Sequence, residues 1–451
     1  MNMYSQDLLA ISFCVGLIAM VQFAVMKVNK KIKGIKAFSI GSYFYALIYG
    51  VVPIYFIINR SSVPEKIAVA YGTNVIFLVT FLAFAGYIAL LAGYGVGVKT
   101  KIGKHREPSE ELPLAKYEKI AFLTFFIGMV GVFAEVYLQG GILNALNNIE
   151  LVRGFKRSDV KDGANNPIVF LRMFKPFIIF SFYLFYMMAR YKPTVVYRTM
   201  ALFTFAITLY IVFLNGGRTH IVILLATVII GFLMTKHKEK KRSNKEMVLW
   251  SVIVVIGIIS IIVLDPIFAY LSYGRPISFE DLGLASLMQQ FSFPFSNMLF
   301  VLSNDNYSFR YMQDFFLWII SLSPAFVLSK IGIRESEPLY VYNTVMQNNT
   351  MILGGIPSDI LTLGYYQLGI AGVLFTIVLF GFILGQIDRL IASYNHNYVL
   401  MPIIIRVAIY MGMIVMYADL ESIFRVRYDV ILLLLVLIGI QRYRIIGRTD
   451  G

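Results

Sequence analysis

Cysteine is almost absent from this chain of 451 residues, and histidine, tryptophan and acidic groups are scarce: one Cys, four His, two Trp and 25 Asp plus Glu. Each scarcity excludes something. The single thiol, Cys14, lies inside an apolar run, so neither a disulfide framework nor a thiolate metal site is available, because both need a second sulfur. Three of the four histidines, His105, His237 and His396, are expected in loops on the inner face, which leaves His220 alone on the other face and excludes a histidine zinc site there. No internal repeat, low-complexity tract or separable soluble domain is present.

What is abundant is apolar. Hydrophobic residues make up 58% of the chain and its mean hydropathy is +0.73. Apolar runs near 20 residues recur, and a helix needs about 20 residues to cross a ~30 Å hydrocarbon core. The expected fold class is therefore an all-α polytopic membrane protein. Spans are expected near 7–26, 37–58, 67–92, 120–138, 171–189, 197–214, 220–235, 247–264, 361–385, 401–418 and 429–441. Two weaker runs, about 284–302 and 314–331, would raise the number of transmembrane helices from 11 to 13. Pro294 and Pro324 interrupt them, so short or re-entrant helices are expected instead. The first run, Leu8 to Met26, is followed by basic residues and closed by no small-residue cleavage pattern, so it is expected to remain as an anchor.

Orientation follows from Lys and Arg counts. Lys27 to Lys36 holds five, Lys99 to Lys119 six, Arg190 to Arg198 three, Lys236 to Lys245 six and the tail from Arg442 three. All fall on one side, which is expected to be cytoplasmic. The net charge of +15 thus belongs to membrane-flanking clusters and not to a nucleic-acid surface. The opposite face is expected to carry two large extracytoplasmic loops, 139–170 and 265–360. These are also basic, with Arg153, Lys156, Arg157 and Lys161 in one and Arg275, Arg310, Lys330 and Arg334 in the other. Positive charge on a translocated side is not required for topology. Solvation of polar loops is one cause, and an anionic phosphate or pyrophosphate ligand is another, since the planar Arg fork gives two parallel hydrogen bonds to phosphate oxygens.

Three short segments carry candidate chemistry. Asn215-Gly216-Gly217-Arg218-Thr219-His220 joins two apolar runs by a tight turn, and Arg218 stands where a helix N-terminus favours an anion. Snorkelling of Arg218 to the interface is the alternative. His220 is a candidate general base or a packing residue. Asp419 to Asp429 holds Asp419, Glu421, Arg425, Arg427 and Asp429, with Arg406 buried in the preceding span; ionisable groups at membrane depth tend to face a cavity, though a salt-bridge lattice between helices gives the same pattern. Asp419 and Glu421 are also spaced as a weak metal pair, but the nearby arginines would neutralise them, so no metal is expected. The third segment runs from Gly354-Gly355-Ile356-Pro357-Ser358-Asp359 through Gly364-Tyr365-Tyr366-Gln367 to Gly369 and Gly372. Its glycines allow close helix approach, and its tyrosines suit a sugar ring or a membrane interface.

The Gly-Gly-Arg-Thr turn at 216–219, the long outer loop before the last spans and the Pro357…Gly364-Tyr365…Gly369-x-x-Gly372 stretch resemble the Wzy-type polymerases of O-antigen and capsular repeat units. That resemblance implies a GT-C-like glycosyltransferase of the bacterial inner membrane with its active site facing outward. It would join oligosaccharide repeat units carried on undecaprenyl pyrophosphate, as both donor and acceptor, without a cofactor, and with a chain-length regulator protein as the kind of partner expected. Breaking a sugar–pyrophosphate bond needs charge stabilisation of the leaving group and a base or good positioning for the acceptor hydroxyl. Arg218, Arg275, Arg425 and Arg427 are the candidates for pyrophosphate. Asp419, Glu421, Asp359 and His220 are the candidate bases, and Arg153, Arg157 and Tyr365 would guide the glycan. A lipid-linked glycan flippase or transporter and an O-antigen ligase are the rival readings, with a non-enzymatic assembly factor a third.

Overall fold

In the computed structural model the described residues are 3–32, 34–59, 75–100, 114–147, 167–214, 218–235, 284–304, 307–321, 338–347, 355–394 and 397–420, with 423, 430–431 and 434–435 beyond. Among them there is no strand, and seven helices are long and apolar enough to cross a membrane. These are α1 (Met3–Lys31), α2 (Ala37–Ile58), α3 (Val75–Lys99), α4 (Leu114–Leu138), α6 (Ile168–Tyr191), α7 (Val195–Leu214) and α13 (Ile360–Ala392). Shorter helices are α5 (Ile142–Asn147), α8 (Arg218–Thr235, its most apolar part His220–Gly231), α9 (Leu284–Gln290), α10 (Phe293–Ser303), α11 (Asp314–Ser321), α12 (Leu339–Met346) and α14 (Met401–Met413). The chain is a multi-pass helical membrane protein. The expected span 247–264 lies outside the described residues, as does most of 429–441.

Several expected boundaries move, each for a physical reason. The third span, expected to end at 92, runs to Lys99 through Gly93 and Gly97. These glycines continue the helix because they face α13: a Cβ on Gly93 would stand 2.1 Å from the Val378 carbonyl oxygen, and one on Gly97 2.3 Å from that of Phe382. Gly381 meets the Leu90 carbonyl oxygen in the same way, at 2.3 Å. The two Gly-x-x-x-Gly faces therefore pack backbone to backbone, as small residues permit between membrane helices. The span expected over 401–418 stops at Met413. The chain turns there because its backbone is taken up elsewhere: Val415 O accepts from Ile360 N at 3.2 Å and Ala418 N donates to Ser358 O at 2.8 Å.

Within α2, residues Leu47–Val51 form a π-helical turn just before Pro53. Proline has no N–H and crowds the carbonyl four residues earlier, that of Tyr49. The freed carbonyl finds another donor in the Cys14 thiol of α1, at 3.5 Å. The lone cysteine thus serves helix packing.

The helix ends that carry the basic clusters at 27–36, 99–119 and 190–198 gather at one end of the bundle. There Asp388 of α13 accepts from Ala37 N at 2.7 Å and Phe38 N at 3.3 Å. The Gln386 amide and the Arg389 guanidinium donate to the Gly97 and Thr100 carbonyls closing α3. Tyr197 donates to Glu118 at 2.9 Å, and Asn397 bonds Tyr117. The opposite end holds the start of α13, the turn after α14 and the start of α8.

Candidate functional site

At that opposite end, residues 355–360 thread between three elements that take up most of their polar groups, although the buried Ser358 hydroxyl makes no hydrogen bond among the described residues. Gly355 has φ +78°, and a Cβ there would stand 2.5 Å from the Tyr340 ring, so the turn requires glycine. Ile356 N donates to Thr344 Oγ1 at 2.7 Å, Asn343 Nδ2 to Ile356 O at 3.2 Å and Asn297 Nδ2 to Pro357 O at 2.9 Å.

Asp359 follows, fully buried, as the N-cap of α13. Its carboxylate accepts from Leu361 N (3.0 Å), Thr362 N (3.1 Å), Thr362 Oγ1 (2.5 Å), Asn297 Nδ2 (3.2 Å) and the Tyr49 hydroxyl that the π turn aims at it. Burial pushes this carboxyl above the usual carboxylate range, and the bonds from Thr362, Tyr49 and Asn297 oppose that shift.

From Asp359 a neutral network runs outward. Asn297 Oδ1 accepts from Gln347 Nε2 at 2.7 Å and from Asn343 Nδ2 at 3.2 Å, while Tyr366 donates to Asn343 Oδ1 at 3.1 Å. It ends at a recess lined by Phe300, Asn304, Tyr307, Met346, Gln347 and Tyr366, with no charged side chain among the residues that line it. The recess has a cavity volume of about 10 Å³, room for about one water molecule and far below the ~300–1,000 Å³ of usual ligand pockets.

The recess borders a break in α13. Leu368 and Gly369 leave helical geometry, with φ −148° and +63°. The carbonyls of Tyr366 and Gln367 lose their helical donors and accept instead from Arg310 N at 2.8 Å and Tyr311 N at 3.2 Å. Non-helical backbone at membrane depth is tolerated where protein re-satisfies it in this way. The Arg310 side chain pairs bidentately with Asp314 at 2.6 and 2.7 Å, both buried, and Gln367 Nε2 adds a bond to Asp314 at 2.7 Å. Tyr311 and Met312 take positive φ (43° and 63°) inside this latch. Tyr307 donates to the Tyr365 hydroxyl at 3.1 Å, and the Phe309 and Tyr311 rings continue the lip outward. The close approach expected of Gly364 and Gly372 occurs between the two halves of the broken helix themselves, where a Cβ on Gly372 would stand 2.1 Å from Gly364 O.

Of the residues singled out from sequence, Asp359 and Asp419 come together on paired segments, each carboxylate one residue from the Ala418 N to Ser358 O bond; Asp419 is buried. Tyr365 sits half-buried on the lip. Arg218 begins α8, and half-buried His220 meets the Tyr410 hydroxyl at 3.1 Å through Nδ1. Glu421, Arg153, Arg157, Arg275, Arg425 and Arg427 lie outside the described residues, as does the Arg218 side chain. Sequence reasoning passed over Asn297, Asn343, Gln347 and Asp314. The signal available was amides, Asn297 above all, inside otherwise apolar runs. Among the described residues no three His, Cys, Asp or Glu side chains gather as metal ligands would.

This geometry defines an all-helical, multi-pass membrane protein with a neutral, aromatic-edged polar recess beside a broken helix. No protein-family model matches the chain, and neither a curated protein nor a solved structure shows a detectable match to it.

Proposed function

We propose that this protein is a membrane glycosyltransferase of the Wzy type, joining lipid-pyrophosphate-linked oligosaccharide repeat units into a surface polysaccharide at the outer face of a bacterial inner membrane. The observation that carries this reading is the neutral network of amides and tyrosines that comes to the edge of the small recess beside the break in α13, a rim against which a sugar would dock. Amide and tyrosine groups held in one orientation, with aromatic walls and no lining charge, are what a neutral sugar ring requires: hydrogen-bonding partners for its hydroxyls and apolar faces for its C–H groups.

In this reading an acceptor hydroxyl attacks the anomeric carbon of the donor sugar, the bond from that carbon to the pyrophosphate oxygen breaks, and the hydroxyl proton passes to a base. Asp419 and Glu421 are the base candidates, with His220 as the third. Asp359 has five donors on its carboxylate, so its part is to hold the start of α13 in place. Arg218, Arg275, Arg425 and Arg427 are assigned to the departing pyrophosphate, Arg153 and Arg157 to the glycan, and Tyr365 to the lip over which the glycan passes. A GT-C-like arrangement, 11 to 13 spans and outward-facing loops at 139–170 and 265–360 belong to the same proposal.

One observation favours a second reading, movement of a lipid-linked glycan across the membrane. Broken helices such as α13 are a recurrent device of transporters, where they expose backbone groups to the cargo. A single assay separates the two. The purified protein in nanodiscs is given an undecaprenyl-pyrophosphate-linked repeat unit and the product is run on a gel. A ladder of lengths is expected; unchanged substrate, together with transfer of the same substrate between the leaflets of proteoliposomes, overturns the polymerase reading in favour of transport.

A further inference from the structure

The recess beside the break in α13 has room for about one water molecule, so no sugar ring enters it unless a wall moves. Most of its walls are helical: Val301 belongs to α10, Met346 to α12 and Tyr366 to α13. The exception is Tyr307, on the irregular strap 307–314 that leads into α11.

The strap is fastened chiefly by polar bonds. Arg310 N and Tyr311 N donate to Tyr366 O and Gln367 O, Asp314 accepts from Gln367 Nε2, and Ser308 N donates to the Tyr342 hydroxyl. Of its side chains, Phe309 is 39% and Tyr311 73% exposed. A segment held by hydrogen bonds over little buried apolar surface belongs to the parts of a fold that open first.

Two features show that the closed strap is not at rest. Tyr311 and Met312 both take positive φ, and no other non-glycine residue does so among the described residues. Glycine would fill these positions without strain, so a purely structural plug has no need of the sequence present. Gln367 gives its amide N–H to Asp314, yet its Oε1 is fully buried and makes no hydrogen bond among the described residues. Lifting the strap leaves three acceptors on the break: Tyr366 O, Gln367 O and Gln367 Oε1. A ligand rich in hydroxyls supplies donors to all three, and a hydrocarbon tail supplies none.

We propose that the strap 307–314 is a lid over the glycan site, latched by Asp314 and Gln367, and that it gives way to a sugar whose hydroxyls take over the acceptors of the α13 break. The proposal rests on the glycosyltransferase reading for its ligand, and deepens it by naming how entry is controlled.

The test is the rate at which a thiol in the recess is labelled by a membrane-impermeant maleimide, with the full chain in nanodiscs. Val301→Cys, near-isosteric at a recess residue 4% exposed, carries the thiol. It is placed in a Cys14→Ser background, which removes the chain's one cysteine and keeps a donor for Tyr49 O. Asp314→Asn weakens the latch and should speed labelling by about tenfold. Should that variant fail to fold, Gln367→Leu, which spares the Arg310–Asp314 pair, replaces it with the same expected direction. Tyr311→Gly relieves strain in the closed form and should slow labelling by about threefold. One rate shared by parent, unlatched and glycine variants overturns the lid, as does labelling that stays undetectable in the unlatched ones. The readout needs no substrate, so the two proposals fail separately. Gated labelling in a protein that makes no ladder keeps the lid and sinks the polymerase reading, and ladders with ungated labelling do the reverse.

Discussion

The two ends of α13 each bury a carboxylate, and they use it differently. Asp388, at one end, accepts from Ala37 N, Phe38 N and the Tyr94 hydroxyl, and so caps the start of α2 from another helix. Asp359, at the other, caps its own helix and accepts from the Tyr49 hydroxyl. In both, two backbone amides and one tyrosine stabilise a group that would otherwise be costly to bury. The surroundings part company beyond that first ring of contacts. Around Asp388 the Phe38 and Tyr94 rings stack at 4.0 Å, and the neighbouring cation, Lys36, is held by Asn29 at 2.7 Å and by the Gly34 carbonyl at 3.1 Å. Around Asp359 the polar chemistry continues through Asn297, Gln347, Asn343 and Tyr366 to an open recess. A buried carboxylate alone therefore does not mark a site; a polar network that reaches the surface does.

The largest effect expected from breaking this comparison is at the closed end. Asp388→Ala strands the two amides that open α2 and the Tyr94 hydroxyl in an apolar setting, at a cost on the order of 4 kcal/mol from several unsatisfied buried donors. Thermal unfolding in detergent and the yield of monodisperse protein measure this. Wild-type stability in Asp388→Ala would show that the helix junction is held by apolar packing alone.

A smaller effect is expected at the open end. Asp359→Asn keeps an N-cap of good type but exchanges an acceptor oxygen for an amide, so about 1–2 kcal/mol should be lost. Its pH dependence sharpens the contrast. Because burial raises the Asp359 carboxyl, the folded state holds its proton to higher pH than the unfolded chain. The stability this contributes is fully present below the unfolded value, ~3.9, and disappears as pH rises through the folded one. The deficit of Asp359→Asn relative to wild type should therefore be greatest in acid and shrink toward neutrality. A deficit that grows toward neutral pH would mean the carboxylate is stabilised, not penalised, in the fold. Chain extension should persist in this variant if Asp359 positions α13; its abolition in a folded protein would return Asp359 to the candidate bases.

Much of this architecture is legible in the sequence because membrane spans obey a simple length and polarity rule. α1, α2, α4, α6, α7 and α13 all fall on runs that the rule picks out. It fails where backbone contacts decide. Nothing local distinguishes the glycines at 93 and 97 as helix-continuing; only their contact with Val378 and Phe382 does. The break at Leu368–Gly369 depends on Arg310 and Tyr311 arriving from a loop more than fifty residues earlier. Glycines at 364, 369 and 372 point to close packing, but not to a helix folded against itself. For the site, the segment 354–372 stands out by its glycines and tyrosines, and it does border the recess. The amides do not stand out, because Asn297 lies on α10 and Asn343 and Gln347 on α12 and its C-cap, two stretches of chain that become a network only when they pack beside the start of α13.

The smallest effect on stability, and the most informative on function, is expected at Gln347. Its two hydrogen bonds, to Asn297 at 2.7 Å and Asn343 at 3.3 Å, both use Nε2, which leaves Oε1 as an acceptor at the rim of the recess. Gln347→Leu keeps the volume but removes donor and acceptor together. Half-buried and at the end of the network, the site should lose no more than about 1 kcal/mol of stability. A sugar hydroxyl deprived of its partner in a shaped site loses far more in rate, on the order of tenfold to a hundredfold, because the ring is no longer held in its reacting orientation. Chain extension should fall by that factor while thermal unfolding stays near wild type. Full ladder synthesis by Gln347→Leu would remove the recess from the glycan path and leave its network a structural device, the counterpart of Asp388 at the other end of the helix.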